Sequence, residues 1–331
     1  MENTPLLTIR DLNVSFRKTR NKYNKAVDGV NLEIEKGSIL GLVGESGSGK
    51  SVTSLSVMQL IERNKNTRIS GNILFNGQDL MQKSEKEMQK IRGDSISMIF
   101  QEPSASINPV FTIGHQISES IMLHKGKTKS EARELATELL RQVGIPSPSE
   151  RYDCYPHQMS GGMLQRVMIA MALACDLELL IADEPTTALD VTIQSQILRL
   201  MKELQAEKNM TILLITHDMG VVAEMADFVA VMYLGQIVEK APVKELFAHP
   251  LHPYTNGLLR CIPTIGRHEK LYSIPMAKKV DFGGCKFCNR CEKAMDICKK
   301  LQPPVFKITG DHEVKCWIYQ NQKEGEGVVK A

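Results

Sequence analysis

A glycine-rich segment with a single lysine follows an early apolar stretch of the chain. Residues 44–51 read Gly-Glu-Ser-Gly-Ser-Gly-Lys-Ser, directly after the apolar run 38–43. They match G-x-x-x-x-G-K-S/T, a pattern whose backbone N–H groups curl around phosphate oxygens. Lys50 is then predicted to contact the outer phosphates and Ser51 to offer its hydroxyl to Mg²⁺. The predicted nucleotide-contacting residues are Gly44, Glu45, Ser46, Gly47, Ser48, Gly49, Lys50, Ser51 and Val52.

A second apolar run ends in two carboxylates. Residues 179–184 read Leu-Leu-Ile-Ala-Asp-Glu. Ligands of parallel α/β sheets bind beyond the carboxyl ends of the strands, so this pair is expected to face residues 44–51. Asp183 is predicted to hold Mg²⁺, and Glu184 to polarise an attacking water as general base.

Short apolar runs alternate with helical patterns, which predicts a mostly parallel α/β sheet. The predicted strands are 38–43, 95–100, 178–183, 211–216 and 229–234. One helix is expected to begin at the N-cap Ser130 and to end at Gly144, with apolar residues at Leu135, Leu139 and Val143. A second apolar stripe comprises Ile193, Ile197, Leu200, Met201 and Leu204.

Composition limits the possible classes of protein. The chain has 331 residues, of which 42% are hydrophobic and 24% charged, and its formal net charge is +3. These values predict a globular fold of one large domain with an appendage, or of two domains, and disfavour bulk nucleic-acid binding. No apolar run approaches the length of a membrane-spanning helix and no signal segment begins the chain, so a cytosolic location is expected.

Five of the eight cysteines crowd into the C-terminal region. In a reducing cytosol, such clustering favours metal or cluster ligation over disulfides. Spacing alone favours Cys285, Cys288, Cys291 and Cys298, whose start resembles a ferredoxin run although the last interval is too long. From 278 to 300 there are seven Lys or Arg against three Asp or Glu. That basic setting is expected to favour thiolates, or else forms a solvated basic face.

Residues 159–166 read Met-Ser-Gly-Gly-Met-Leu-Gln-Arg and open an apolar helix. With this motif between the glycine-rich loop and the acidic pair, the chain resembles the ABC-type ATPases over about residues 6–260. Met159 stands where leucine is usual. The matching positions are Gln101 for the Q-loop, Ser160, Gly161 and Gly162 for the signature motif, Ala188, Leu189 and Asp190 for the D-loop, and His217 for the switch histidine.

The resemblance implies a P-loop NTPase (RecA-like) parallel-sheet core with an antiparallel β edge and an inserted helical subdomain over about 102–165. It implies an ATPase domain at 1–258 and a small Cys-rich extension at 259–331. Two ATPase domains would sandwich two ATPs, with Glu184 and His217 acting in cis and Ser160 to Gly162 in trans. Lys50 and Gln101 join the catalytic set, and Gln101 also the Mg²⁺ ligands. Phe16, or alternatively Tyr23, would stack on adenine.

Later residues resemble one branch of this family, the oligopeptide/dipeptide/nickel permease ATPases. Residues 249–259 read His-Pro-Leu-His-Pro-Tyr-Thr-Asn-Gly-Leu-Leu, and 162–170 resemble the D-type ATPase of that branch. This implies a heterodimer with an F-type ATPase, two membrane-spanning permease subunits, an indirect binding-protein partner, and a peripheral position at the cytoplasmic membrane face. The expected cargo is peptides, with nickel or a metal chelate as the alternative. His249, His252 and Tyr254 are interpreted as a turn that docks the tail.

The same branch implies a different set of cysteine ligands. Its pattern corresponds to Cys285-x5-Cys291-x6-Cys298-x17-Cys316, which leaves Cys288 as an extra thiol. This second set is the one that we predict. A structural 4Fe–4S cluster is the first choice of metal group and Zn²⁺ the second.

Two other functions compete with transport. A soluble ABC-type ATPase acting on nucleic acid or ribosomes would usually carry a long coiled-coil insert or tandem ATPase units. Here Gln101 and Ser160 lie only 59 positions apart and the chain is nearly neutral. The second alternative makes the cysteine region a redox sensor.

Overall fold

The computed structural model describes residues 5–19, 22–102, 106–187, 189–262, 273–275 and 283–321. The strands are β1 Leu7–Thr19, β2 Lys22–Ile34, β3 Ile39–Val43, β4 Thr67–Phe75, β5 Gln78–Asp79, β6 Ile96–Ile99, β7 Leu179–Asp183, β8 Thr211–Thr216, β9 Phe228–Tyr233, β10 Gln236–Pro242, β11 Phe306–Thr309 and β12 His312–Val314. The α-helices are α1 Lys50–Val57, α2 Glu85–Ile91, α3 Ile113–Lys125, α4 Lys129–Gln142, α5 Pro148–Tyr152, α6 Gly161–Ala172, α7 Val191–Lys208, α8 Met219–Met225, α9 Val243–Ala248, α10 Pro253–Arg260 and α11 Asp296–Lys300. Short 3-10 helices occupy Leu80–Gln82, Pro156–Gln158, Cys288–Arg290 and Trp317–Tyr319.

The central sheet has the strand order β11-β12-β10-β9-β3-β8-β7-β6. The five strands from β9 to β6 run parallel to their neighbours, and β10, β12 and β11 add antiparallel pairs at the other edge. All residues of β3, β7 and β8 are buried, because helices or the second sheet cover both faces. The five predicted strands are confirmed to within two residues at each end.

A second sheet forms the antiparallel layer, with the order β2-β1-β4-β5. Its inner face packs against one face of the central sheet. The shared core includes Leu12 and Val30 from the antiparallel sheet, and Leu42, Ile181 and Leu213 from the central sheet. The structure therefore has the predicted parallel core with an antiparallel β layer.

Between β6 and β7 the described residues contain helices and no strand. The helix predicted to begin after Ser130 instead begins after Thr128, which forms a capping box with Glu131. The predicted apolar stripe is confirmed in part, because Val143 is buried and Leu139 packs against the core. Ala132, Ala136 and Leu140 are buried, whereas Leu135 is 40% exposed. In the described part of the chain, no helix combines the length and the apolar character needed to span a bilayer.

A C-terminal hairpin extends the central sheet beyond β10. Strand β12 pairs with β10 so that Glu239 lies opposite Val314. The buried Glu239 carboxylate accepts hydrogen bonds from the backbone N–H groups of Leu251 and His252 and contacts His312 Nε2 at 2.8 Å. The predicted docking turn is confirmed, because His252 caps α10 and the Tyr254 ring packs against Phe287 of the tail.

Candidate nucleotide site

The loop 44–51, called the phosphate loop below, connects β3 to α1. Gly49 has a φ of 108°, and a Cβ at this position would lie 2.4 Å from the carbonyl oxygen of Ala26. Only glycine fits such a position without displacing the backbone. The hydroxyl of Ser48 is buried and has no hydrogen-bond partner among the described residues. A buried donor of this kind fits a loop that binds phosphate oxygens.

Lys50 begins α1 and its ammonium group lies inside the loop. It donates to the carbonyl oxygens of Gly44 at 2.7 Å and Glu45 at 3.1 Å. Burial lowers the pKa of Lys50, and the negative charges of Glu184 and Asp183 oppose that shift. The lysine therefore faces both carboxylates that end β7, as predicted from the sequence.

Asp183 is the last residue of β7 and is buried. Burial raises its pKa, and so does the charge of Glu184, whereas a hydrogen bond with Ser51 and the charge of Lys50 act in the opposite direction. A serine hydroxyl beside a carboxylate supplies the hard oxygen ligands that Mg²⁺ takes together with substrate phosphates. Ser51 and Asp183 thus suit the metal of a Mg·ATP substrate.

Glu184 bonds two side chains that follow the neighbouring strands β6 and β8, and a third from its own turn. One carboxylate oxygen lies 3.1 Å from Nδ1 of His217. The other accepts from Nε2 of Gln101 at 2.9 Å and from the hydroxyl of Thr187 at 3.0 Å. The residue has a φ of 48°, a strained conformation typical of functional positions. The structure therefore brings the predicted base, Q-loop glutamine and switch histidine together, and adds Thr187, which sequence analysis missed.

The Glu184 carboxyl is held ionised. Burial alone would raise its pKa, but hydrogen bonds with His217 and Thr187 and the charges of His217 and Lys50 lower it below the ordinary value. A carboxylate that stays deprotonated at neutral pH can accept a proton from water.

The signature and D-loop residues lie at two exposed helix starts. Ser160 accepts from the N–H of Met163 and caps α6, and Asp190 accepts from the N–H of Ile193 and caps α7. The two helix starts touch, because a Cβ on Gly162 would lie 3.0 Å from Ile193. Ser160 and Gly161 are exposed. Ala188 lies outside the described residues.

The two predicted adenine-stacking aromatics differ in their surroundings. Phe16 lies on β1 with 36% of its surface exposed. The Tyr23 ring is covered by the guanidinium of Arg68, 3.8 Å from its centroid, and its hydroxyl donates to the carbonyl oxygen of Lys65. Phe16 is therefore the more accessible of the two rings.

The C-terminal cysteines share one region but do not form a metal site in the part of the chain described. The sequence predicts a 4Fe–4S cluster or Zn²⁺ held by Cys285, Cys291, Cys298 and Cys316, with Cys288 as an alternative. Among the described residues, no group of three or more His, Cys, Asp or Glu side chains is placed to hold a metal ion. Burial raises the pKa of Cys285 to about 11 and that of Cys316 to about 12. These raised pKa values give no support to the expected thiolates, and the described residues do not support the metal prediction.

Similarity to known proteins agrees with this geometry. Residues 27–187 match the ABC transporter family model, and 238–298 match the model of the oligopeptide/dipeptide transporter C-terminal region. The oligopeptide transport ATP-binding protein AppD of Bacillus subtilis (strain 168) is 50% identical over 96% of this chain and 98% of its own length. The chain belongs to the ATP-binding subunits of ABC transporters. It is an ATPase of the transport-coupled class, which confirms the family and the enzyme class predicted from its motifs.

Other relatives of this ATP-binding subunit support the same assignment. The dipeptide transport ATP-binding protein DppD of Escherichia coli (strain K12) is 48% identical over 94% of this chain and 96% of its own. Among solved structures, the ATP-binding cassette MJ0796 in a dimeric post-hydrolysis state bound to ADP and Pi has a TM-score of 0.64. It is 26% identical and covers 72% of this chain and 98% of its own. CbiO1 of Clostridium perfringens has a TM-score of 0.62 at 29% identity, covering 74% and 92%.

Proposed function

We propose that this chain hydrolyses ATP to drive the import of dipeptides and oligopeptides through a membrane permease. The observation that carries the catalytic part is the Glu184 carboxylate, bonded to both Gln101 and His217 beside the lysine-bearing phosphate loop. Support for the cargo comes from AppD and DppD, whose names specify oligopeptide and dipeptide transport.

The geometry suggests how hydrolysis proceeds. The phosphate loop and Lys50 hold the triphosphate, while Ser51 and Asp183 hold its Mg²⁺. Glu184 accepts the proton of the attacking water, because its hydrogen bonds keep it ionised. Gln101 and His217 fix the direction of that carboxylate from opposite sides. The general base and the charge stabilisation of Lys50 then act on the same phosphoryl group.

Completion of the site requires a second ATPase domain. Ser160 and Gly161 are exposed at the start of α6, and the bonds of Ser160 stay within that helix start. We propose that these residues contact ATP on a partner ATPase across a dimer interface. The D-type resemblance makes that partner a non-identical F-type subunit, and the complex then lies at the cytoplasmic membrane face with two permease subunits and, indirectly, a binding protein.

Reconstitution of the full complex in vesicles tests this function. Uptake of a labelled peptide that requires ATP and stops with Lys50→Ala would support it. Uptake of Ni²⁺ instead of peptide would show that the cargo is a metal ion. Co-purification of nucleic acid with this chain, without membrane chains, would refute the transport function. A complex containing two copies of this chain and no second ATPase would refute the heterodimer.

Three further assignments are proposals of the same kind. The boundary between ATPase domain and extension is placed near residue 258, and Phe16 is proposed to stack on adenine because its ring is exposed. The resemblance to the permease ATPases supports a 4Fe–4S cluster, or Zn²⁺, at Cys285, Cys291, Cys298 and Cys316. Metal analysis and visible absorbance of anaerobically purified protein decide the last point, since protein without iron or zinc would refute both.

A further inference from the structure

The outer side of the phosphate loop is held by residues from much later in the chain. Glu45 is the second residue of the loop. Its backbone N–H donates to the hydroxyl of Tyr254 at 2.9 Å. Its two carboxylate oxygens each accept a hydrogen bond from Arg290, both at 2.7 Å. The backbone and the side chain of one loop residue are therefore both fixed by the C-terminal part of the chain.

Arg290 belongs to the C-terminal extension and is tightly held where the extension contacts the phosphate loop. Its Nε donates to the carbonyl oxygen of Pro275 at 2.6 Å, and one terminal nitrogen lies 3.3 Å from the hydroxyl of Tyr233. Only 10% of its side chain is exposed. A planar guanidinium presents two parallel donors to a carboxylate, which a lysine cannot do. The pair therefore orients the Glu45 carboxylate and also neutralises its charge.

The Arg290–Glu45 pair also connects to the catalytic lysine. The carbonyl oxygen of Glu45 accepts a hydrogen bond from the ammonium group of Lys50 at 3.1 Å. A displacement of Glu45 would therefore break or lengthen this hydrogen bond. Without Arg290, the Glu45 carboxylate would stand uncompensated in a loop that must accept a triphosphate. Like charges at short range disfavour each other, most strongly where water is partly excluded.

We propose that Arg290 is a positioning residue for ATP binding, through which the C-terminal extension orients and neutralises Glu45 of the phosphate loop. This inference rests on the proposed function, in which residues 44–51 bind Mg·ATP. Arg290 does not touch the nucleotide and acts through Glu45.

Equilibrium titration of the full chain with Mg·ATP tests the proposal. Arg290→Gln is expected to weaken binding about five- to twentyfold, within the usual range of coupling between neighbouring sites. Glu45→Gln alone is expected to weaken it less, because the charge left unpaired near the phosphates is then the cation of Arg290, which does not repel them. The double variant is expected to bind more tightly than Arg290→Gln, since the uncompensated carboxylate is gone. Arg290→Lys keeps the positive charge but not the two parallel donors, so its affinity for Mg·ATP should lie between those of the wild type and Arg290→Gln.

Lys286→Gln is the matched control. It removes another contact between extension and core, because Lys286 pairs with Asp28 at 2.7 Å and donates to the carbonyl oxygen of Leu234. This variant is expected to lower the Tm while keeping the Kd for Mg·ATP within about twofold of the wild type.

Three results would overturn the proposal. They are wild-type affinity in Arg290→Gln, no recovery in the double variant, and an equal loss of affinity in Lys286→Gln. A folded wild-type chain that fails to bind Mg·ATP would instead refute the proposed function itself.

Discussion

Replacing Glu184 with glutamine keeps the shape of the side chain but removes its ability to take a proton. One carboxylate oxygen accepts from Gln101 and Thr187, and the other lies 3.1 Å from His217. A glutamine can keep its amide oxygen toward Gln101 and Thr187, the two groups that donate to the carboxylate. We therefore expect Glu184→Gln to fold like the wild type and to bind Mg·ATP.

The expected loss lies in the chemical step. A positioned general base contributes about 10²- to 10⁴-fold in rate. At about 1.4 kcal/mol for each factor of ten, the barrier rises by about 3–5 kcal/mol. Binding of Mg·ATP should be unchanged or tighter. The charges of Asp183 and Glu184 both act on Lys50, and the substitution removes the negative charge of Glu184 near the triphosphate.

Single-turnover formation of phosphate, measured in quenched samples with protein in excess, separates hydrolysis from product release, and a parallel binding titration gives the Kd. Glu203→Gln is the matched control because that glutamate pairs with Arg199 on the exposed face of α7. It should leave hydrolysis unchanged. Hydrolysis by Glu184→Gln within about threefold of the wild type would refute Glu184 as the base.

Other substitutions test the loop and its surroundings. Lys50→Ala should abolish measurable Mg·ATP binding in titrations, because the charge facing the phosphates is lost, and retained micromolar binding would contradict this. Gly49→Ala should lower the Tm and weaken binding, since its Cβ would meet the carbonyl oxygen of Ala26 at 2.4 Å; a Tm equal to the wild type would contradict the geometry. Burial would raise the pKa of Asp28, but Lys25 and Lys286 lower it from 3.8 to about 2. Its contribution to stability is therefore complete above about pH 4 and lost as the pH falls toward 2. Asp28→Asn should therefore lower the Tm at pH 7, and the Tm values of variant and wild type should converge near pH 2. An equal Tm difference at both pH values would refute this.

The strands could be predicted from the sequence because local pattern and final environment agree. Residues 212–215 and 179–182 are apolar at successive positions, and both faces of the corresponding strands β8 and β7 are covered. The motifs at their ends then follow from one rule, since parallel strands place their carboxyl ends at one edge of the sheet. The enclosed position of the phosphate loop could be inferred in the same way.

Contacts between distant parts of the chain could not be predicted. Arg290 reaches Glu45 across 245 positions, and nothing in the local pattern around Cys288 and Cys291 indicates a carboxylate partner.

The choice of Thr128 over Ser130 as N-cap depended on Glu131 completing a capping box. Apolar periodicity wrongly placed Leu135 in the core, because the buried positions in that part of α4 are held by the small residues Ala132 and Ala136.

The order of strands in the central sheet explains why one carboxylate can serve two motifs. Along the sheet the order is β3, β8, β7, β6, and the phosphate loop, His217, Glu184 and Gln101 follow these four strands in turn. Neighbouring strands lie about 4.8 Å apart, so the strand that carries Glu184 is flanked by those that precede His217 and Gln101. Asp183 ends β7 beside Ser51, whereas Glu184 follows the strand with a φ of 48° and bonds Gln101 and His217, so the two carboxylates do not exchange roles. A one-residue slip of β7 would place the shorter side chain of Asp183 where Gln101 and His217 must be reached, and would leave Ala182 in place of Asp183 beside Ser51.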